Sequence, residues 1–81
     1  MAGLSVVIPA LNEAGTLPLL LADLGTWPRD LEILVVDGGS NDATAAVSRN
    51  CGAGLLLSPA SGRGQQLRWG VAQAHGPWLL V

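Results

Sequence analysis

The sequence predicts an α/β protein, a three-layer α/β/α arrangement around a parallel sheet of about four strands in the order 3-2-1-4. Three observations carry this. Short apolar runs alternate with segments of helical periodicity along the whole chain, the pattern of strands joined by crossover helices. The run from Leu31 to Val36 is broken only by Glu32, as in a strand covered on both faces. The first two runs each end in a cluster of Pro, Asn, Asp, Gly or Ser that carries the chain sharply off the strand. Right-handed crossovers then put the first two helices on one face and the third on the other, with the winding reversing between strands one and four. Ligands bind at such a reversal, beyond the carboxyl ends of the strands.

Leu4-Ser5-Val6-Val7-Ile8-Pro9 forms the first strand, and Ala10-Leu11-Asn12-Glu13 leads off its end. Leu17, Leu20, Leu21 and Leu24 recur at i, i+3, i+4 and i+7, giving a helix capped by Thr16, with Pro18 tolerated in its first turn and Gly25 ending it. Leu31 to Val36 is the second strand. Ser40 or Asn41 caps the second helix, Asp42 lies in its first turn against the positive end of the dipole, and Gly52 stops it. Ala53 to Leu57 reads as a third strand and residues 58–62 as a loop. A third helix follows with Leu67, Val71 and Ala74 on its inward face, Gly76 at its end and Pro77 barring continuation. Trp78 to Val81 begins a fourth strand.

With 81 residues the chain makes one domain, spanning 1–81, with a thin core. Hydrophobic residues reach 49% and charged ones only 12%, so some apolar surface is expected to meet a partner. There is no Lys, the four Arg are scattered, and the formal charge is −2, which excludes a nucleic-acid patch. The single Cys51 has neither a disulfide partner nor a metal-site spacing around it and reads as a small buried residue in a reducing compartment. No apolar run approaches the roughly 20 residues of a membrane span, and no basic segment precedes an apolar one at the amino terminus. A cytoplasmic protein is expected.

Asp37 closes the second strand, where a carboxylate accepts hydrogen bonds from a ribose hydroxyl or a base edge, while Gly38 and Gly39 leave backbone bare for a ligand. The alternative is an Asp that caps its own turn, with Gly38 and Gly39 serving that turn rather than a ligand. Asn12 and Glu13 offer polar contacts to a sugar or base, or else a helix cap and a dipole partner. Arg63, at a Gly-flanked helix start, suits a diphosphate, since guanidinium matches phosphate geometry in two-pronged fashion; a solvated surface Arg is its other reading. His75, at a helix end, is explained by the terminal carbonyls. The Walker spacing and the Gly-x-Gly-x-x-Gly fingerprint are both missing, which argues against a P-loop protein and a dehydrogenase.

Taken together, Ser5-Val6-Val7-Ile8-Pro9-Ala10-Leu11-Asn12-Glu13, Val35-Val36-Asp37-Gly38-Gly39-Ser40-Asn41-Asp42-Ala43-Thr44 and Gly62-Arg63-Gly64-Gln65-Gln66 resemble the amino-terminal half of a family 2 glycosyltransferase. The resemblance covers nearly the whole chain. It implies a Rossmann-like half-domain of the GT-A type and, at Pro9, Ala10, Asn12, Glu13 and Asp37, contacts to the nucleotide of a nucleotide-sugar donor; Arg63 is carried over as well. The family's third helix usually continues Gln-Met-Asn-x-Gly, whereas here Gln66-Leu67-Arg68-Trp69-Gly70 brings a bulky Trp and an added positive charge to that wall.

In the family, an Asp-x-Asp-like motif after the fourth strand coordinates Mg or Mn on the donor diphosphate, and the catalytic base and acceptor site lie further on. The resemblance therefore implies no metal ligand and no catalytic residue within these 81 residues, and no turnover by them alone. The first expectation is therefore the donor-nucleotide half of such an enzyme from a truncated or split reading frame, a companion chain supplying the remainder in the split case. The other expectation is a noncatalytic remnant that self-associates through the strand at 78–81, a hydrophobic edge.

Overall fold

The computed structural model describes residues 4–27, 30–59, 62–75 and 77–80, the last three by their backbone. The elements run β1 (Leu4–Ala10), α1 (Leu17–Leu24), β2 (Leu31–Asp37), α2 (Thr44–Asn50), β3 (Gly54–Leu57), α3 (Arg63–Gln73) and β4 (Trp78–Leu80). The sheet has the order β3-β2-β1-β4, and every neighbouring pair is parallel, as the alternating pattern predicts. Leu4 stands opposite Leu31 and Ala10 opposite Asp37, so β1 and β2 start and finish level and both loop mouths open at one edge.

The pleat divides the core. Val6, Ile8, Ala10 and Val35 face the first side, where they pack with Leu17, Leu21 and Leu24 of α1 and, more loosely, with Val47 and Leu55. Val7 and Val36 point the other way, under Gly70 of α3. A Cβ at Gly70 would fall inside contact distance of Val7 Cγ1 and 2.8 Å from Val36 Cγ2, so α3 lies on the sheet backbone-first.

Several local readings change. The face of α3 turned to the sheet is centred on Gln66 and Gly70, both buried, while Leu67 and Val71 are half-buried beside it and Ala74, expected on the same stripe, follows the helix end at Gln73 in extended backbone. The apolar period points to the wrong stripe because the closest approach belongs to a residue without a side chain. Thr16 stands at the N-cap of α1 without a side-chain capping bond, because its hydroxyl donates to Glu13 instead. Helix α2 begins only at Thr44; Ser40 and Asn41 bond across to the first loop, and Asp42, ahead of the helix, accepts the Thr44 N–H at 2.9 Å. Strand β3 starts at Gly54 rather than Ala53. Cys51 is exposed, since it follows the last turn of α2 at the surface. The amino-terminal part of β2, Leu31 to Ile33, is only half-buried; Leu34 to Asp37 is buried. Gly76 and Val81 lie outside the described residues. Among the described residues, no helix is long and apolar enough to cross a membrane.

Candidate functional site at the carboxyl edge of the sheet

Two loops meet beyond β1 and β2, and hydrogen bonds tie one to the other. Asn12 adopts left-handed backbone at φ +54°, a conformation that Asn tolerates better than most residues. From there its N–H donates to Ser40 Oγ at 2.9 Å, and its side-chain oxygen accepts the Asn41 N–H at 2.8 Å. The Ser40 hydroxyl in turn donates a hydrogen bond to Asp37 Oδ1 at 2.6 Å. A second relay runs alongside: the Glu13 N–H donates to Thr44 Oγ1 at 2.9 Å, and the Thr44 hydroxyl donates to Asp42 Oδ1 in a short bond. That hydroxyl, ahead of the backbone amides of Thr44 and Ala14, holds the Asp42 carboxyl below its ordinary range.

Asp37 is buried, and its Oδ1 also accepts the Gly39 and Ser40 N–H groups at 3.1 and 2.9 Å. The turn-capping alternative is therefore realised in one oxygen; Oδ2 takes none of these three bonds. Gly39 has φ +103°, which the turn requires. Gly38 is glycine for a different reason: a Cβ there would lie 2.7 to 3.0 Å from the end of the Gln66 side chain.

Beside this framework lies a cleft of about 210 Å³ lined by Pro9, Ala10, Glu13, Thr16, Leu17 and Arg63, with Ile8 and Leu20 beneath. An adjoining hollow of about 260 Å³ shares Pro9, Ala10, Glu13 and Arg63 and adds Leu11, Gly62 and Gln66. Arg63 reaches it because Gly62, at φ +114°, turns the chain into α3 at this edge. The Glu13 carboxylate accepts the Thr16 hydroxyl at 2.6 Å on the same wall. Of the residues singled out in the sequence, Pro9, Ala10, Glu13 and Arg63 thus share one cleft, while Asn12, Asp37, Gly38 and Gly39 build the turn next to it.

His75 belongs to the opposite edge. Its Nδ1 lies 2.6 Å from Glu32 Oε2, and the His75 backbone N–H donates to Oε1 at 3.1 Å, where Ser5 Oγ also donates at 2.7 Å. The Ser5 hydroxyl first, then His75, pull the Glu32 pKa down to about 2. The expected contact of His75 with helix-terminal carbonyls gives way to this carboxylate. Sequence reasoning missed Gln66, whose Nε2 donates to the carbonyls of Ala10 at 3.0 Å and Val36 at 2.9 Å. The available signal was its i, i+4 spacing from Gly70, which puts the polar side chain on the buried stripe.

A fold with paired loop mouths at one sheet edge suits many ligands, and likeness to known proteins decides among families. The model of glycosyl transferase family 2 matches residues 5–81. The chain belongs to glycosyltransferase family 2. An uncharacterized glycosyltransferase of Mycobacterium tuberculosis is 40% identical over 83 aligned residues, covering all of this chain and 37% of the relative. The crystal structure of M. tuberculosis glucosyl-3-phosphoglycerate synthase with UDP superposes with a TM-score of 0.77 at 28% identity, over 93% of this chain and 31% of the synthase. The complex of that synthase with Mn2+, UDP and glucosyl-3-phosphoglycerate gives 0.81 at 24% identity, over 98% and 33%. The expected GT-A half-domain architecture is thus the fold observed, and this glycosyltransferase chain spans roughly a third of the length of these proteins.

Proposed function

We propose that residues 1–81 form a donor-nucleotide unit of a glycosyltransferase, binding the nucleotide part of a nucleotide sugar whose glycosyl group passes to an acceptor. The observation that carries this reading is the convergence of Pro9, Ala10, Glu13 and Arg63 on one cleft at the sheet edge where Ala10 and Asp37 stand level. The UDP of the synthase complex supports the class of ligand. In this reading Pro9 and Ala10 form an apolar wall for the base, Glu13 and the Oδ2 of Asp37 accept from base or ribose, and the Gly38–Gly39 turn borders the second mouth. Arg63 meets the diphosphate, where its planar fork satisfies two oxygens at once.

The family neighbour binds Mn2+. Among the described residues, no group of three or more His, Cys, Asp or Glu side chains is placed to hold such an ion. None of the residues assigned here acts as a catalytic base. Transfer is proposed to need parts of the relatives that these residues do not match, and the unit alone to hold a donor without consuming it. A cytoplasmic setting, in which the exposed Cys51 thiol stays reduced, goes with this reading. The alternative of a noncatalytic, self-associating module rests on β4 lying at the sheet edge.

Calorimetric titration with UDP and other nucleoside diphosphates tests the proposal. Saturable binding by the wild-type chain, weakened by Arg63→Ala and Glu13→Gln, is expected; no heat up to millimolar concentrations contradicts it. A dimer in sedimentation with no such binding favours the alternative.

A further inference from the structure

Gln66 is 4% exposed, a low value for a neutral amide on the first turn of a helix that begins at the surface. Burial of an amide is tolerated when its hydrogen bonds are made, and here Nε2 bridges the last carbonyl of the β1 core, Ala10 O, and that of Val36 in β2. Ala10 O also accepts the Gly38 N–H at 3.0 Å, so one carbonyl ties the first loop, the Asp37 turn and α3 together. The end of the same side chain fills the space over Gly38 where any Cβ would sit, and it borders the hollow shared by Glu13 and Arg63.

We propose that Gln66 is a positioning residue: from α3 it sets the separation and orientation of the two loop mouths, and through them the groups that meet the donor. The consequence for affinity rests on the donor-site reading above; the consequence for loop geometry does not. An apolar side chain of the same length removes both bonds and leaves two buried carbonyls without that donor. A carboxylate keeps the shape but sets an acceptor against two acceptors.

The test compares Gln66→Met and Gln66→Glu with Leu24→Val, a core change on the other face of the sheet, by amide hydrogen exchange and UDP titration on the full chain. Faster exchange at Gly38, Gly39, Ser40 and Asn41 together, beyond that of a Leu24→Val protein of equal melting temperature, is expected. So is a roughly tenfold or greater loss of UDP affinity, the scale of one or two hydrogen bonds. For Gln66→Glu both effects should shrink at low pH, where a protonated carboxyl regains one donor. Loops no looser than in the control, or looser loops with unchanged affinity, overturn the proposal. If wild type binds no UDP but the loops of the variants loosen as described, the donor reading falls and the positioning role stands. Should the variants fail to fold, exchange of the Gln66 side-chain amide in wild type decides: protection supports the proposal, and exchange as fast as that of exposed Gln73 overturns it.

Discussion

The side-chain oxygen of Asn12 accepts the N–H of Asn41 at 2.8 Å, from a residue held in left-handed backbone at φ +54°. The first loop thus reaches into the second with the side chain that tolerates this conformation best. Removing that side chain is expected to cost twice, in the lost bond and in the backbone: Asn12→Ala should lose about 1 to 3 kcal/mol of stability. Asn12→Gly, which keeps the backbone unstrained, should lose less. Urea unfolding of the three proteins measures the order; equal stability of Ala and Gly variants would show that the backbone term is negligible.

Gly70 gives the second prediction. Alanine improves helix propensity by up to about 1 kcal/mol, but its methyl would overlap Val7 and come within 2.8 Å of Val36, and overpacking of this kind costs roughly 1 to 3 kcal/mol or more. The clash wins, and Gly70→Ala should lower the melting temperature. Val7→Ala added to it should recover part of the loss, a coupling that a double-mutant cycle detects.

Acid stability should depend on Glu32. Its pKa is depressed from 4.5 to about 2 in the folded chain, so the native state binds fewer protons than the unfolded chain in that window. Its stabilisation is complete above about pH 4.5 and declines as pH falls toward 2. Glu32→Gln should flatten this part of the profile and leave the neutral-pH fold intact; circular dichroism against pH compares the two. His75→Ala should have a smaller effect of the same sign, since the Ser5 hydroxyl is the larger cause.

The architecture was legible because it rests on coarse features. Buried runs such as Val35-Val36, the leucine period of α1 and the right-handed crossover rule leave little freedom of topology, and the order β3-β2-β1-β4 follows. The cleft residues were legible in part: Pro9, Ala10, Glu13 and Arg63 lie where strand ends and a Gly-flanked helix start place them. What escaped depends on side-chain reach between distant segments. Ser40 looks like a helix cap in its own neighbourhood, and only the arrival of Asn12 makes it a relay. Gln66 carries no local signal for two carbonyls 56 and 30 residues away. Cys51 looked buried by residue type, yet its position after the last turn of a short helix exposes it.

The most direct measurement maps nucleotide binding onto the chain by amide chemical-shift changes during a UDP titration. Saturating shifts concentrated at residues 10–13, 38–40 and 62–66, with the Glu32 and His75 edge unmoved, are expected. Shifts centred on that far edge, or none at millimolar UDP, would contradict a donor site at the carboxyl ends of β1 and β2.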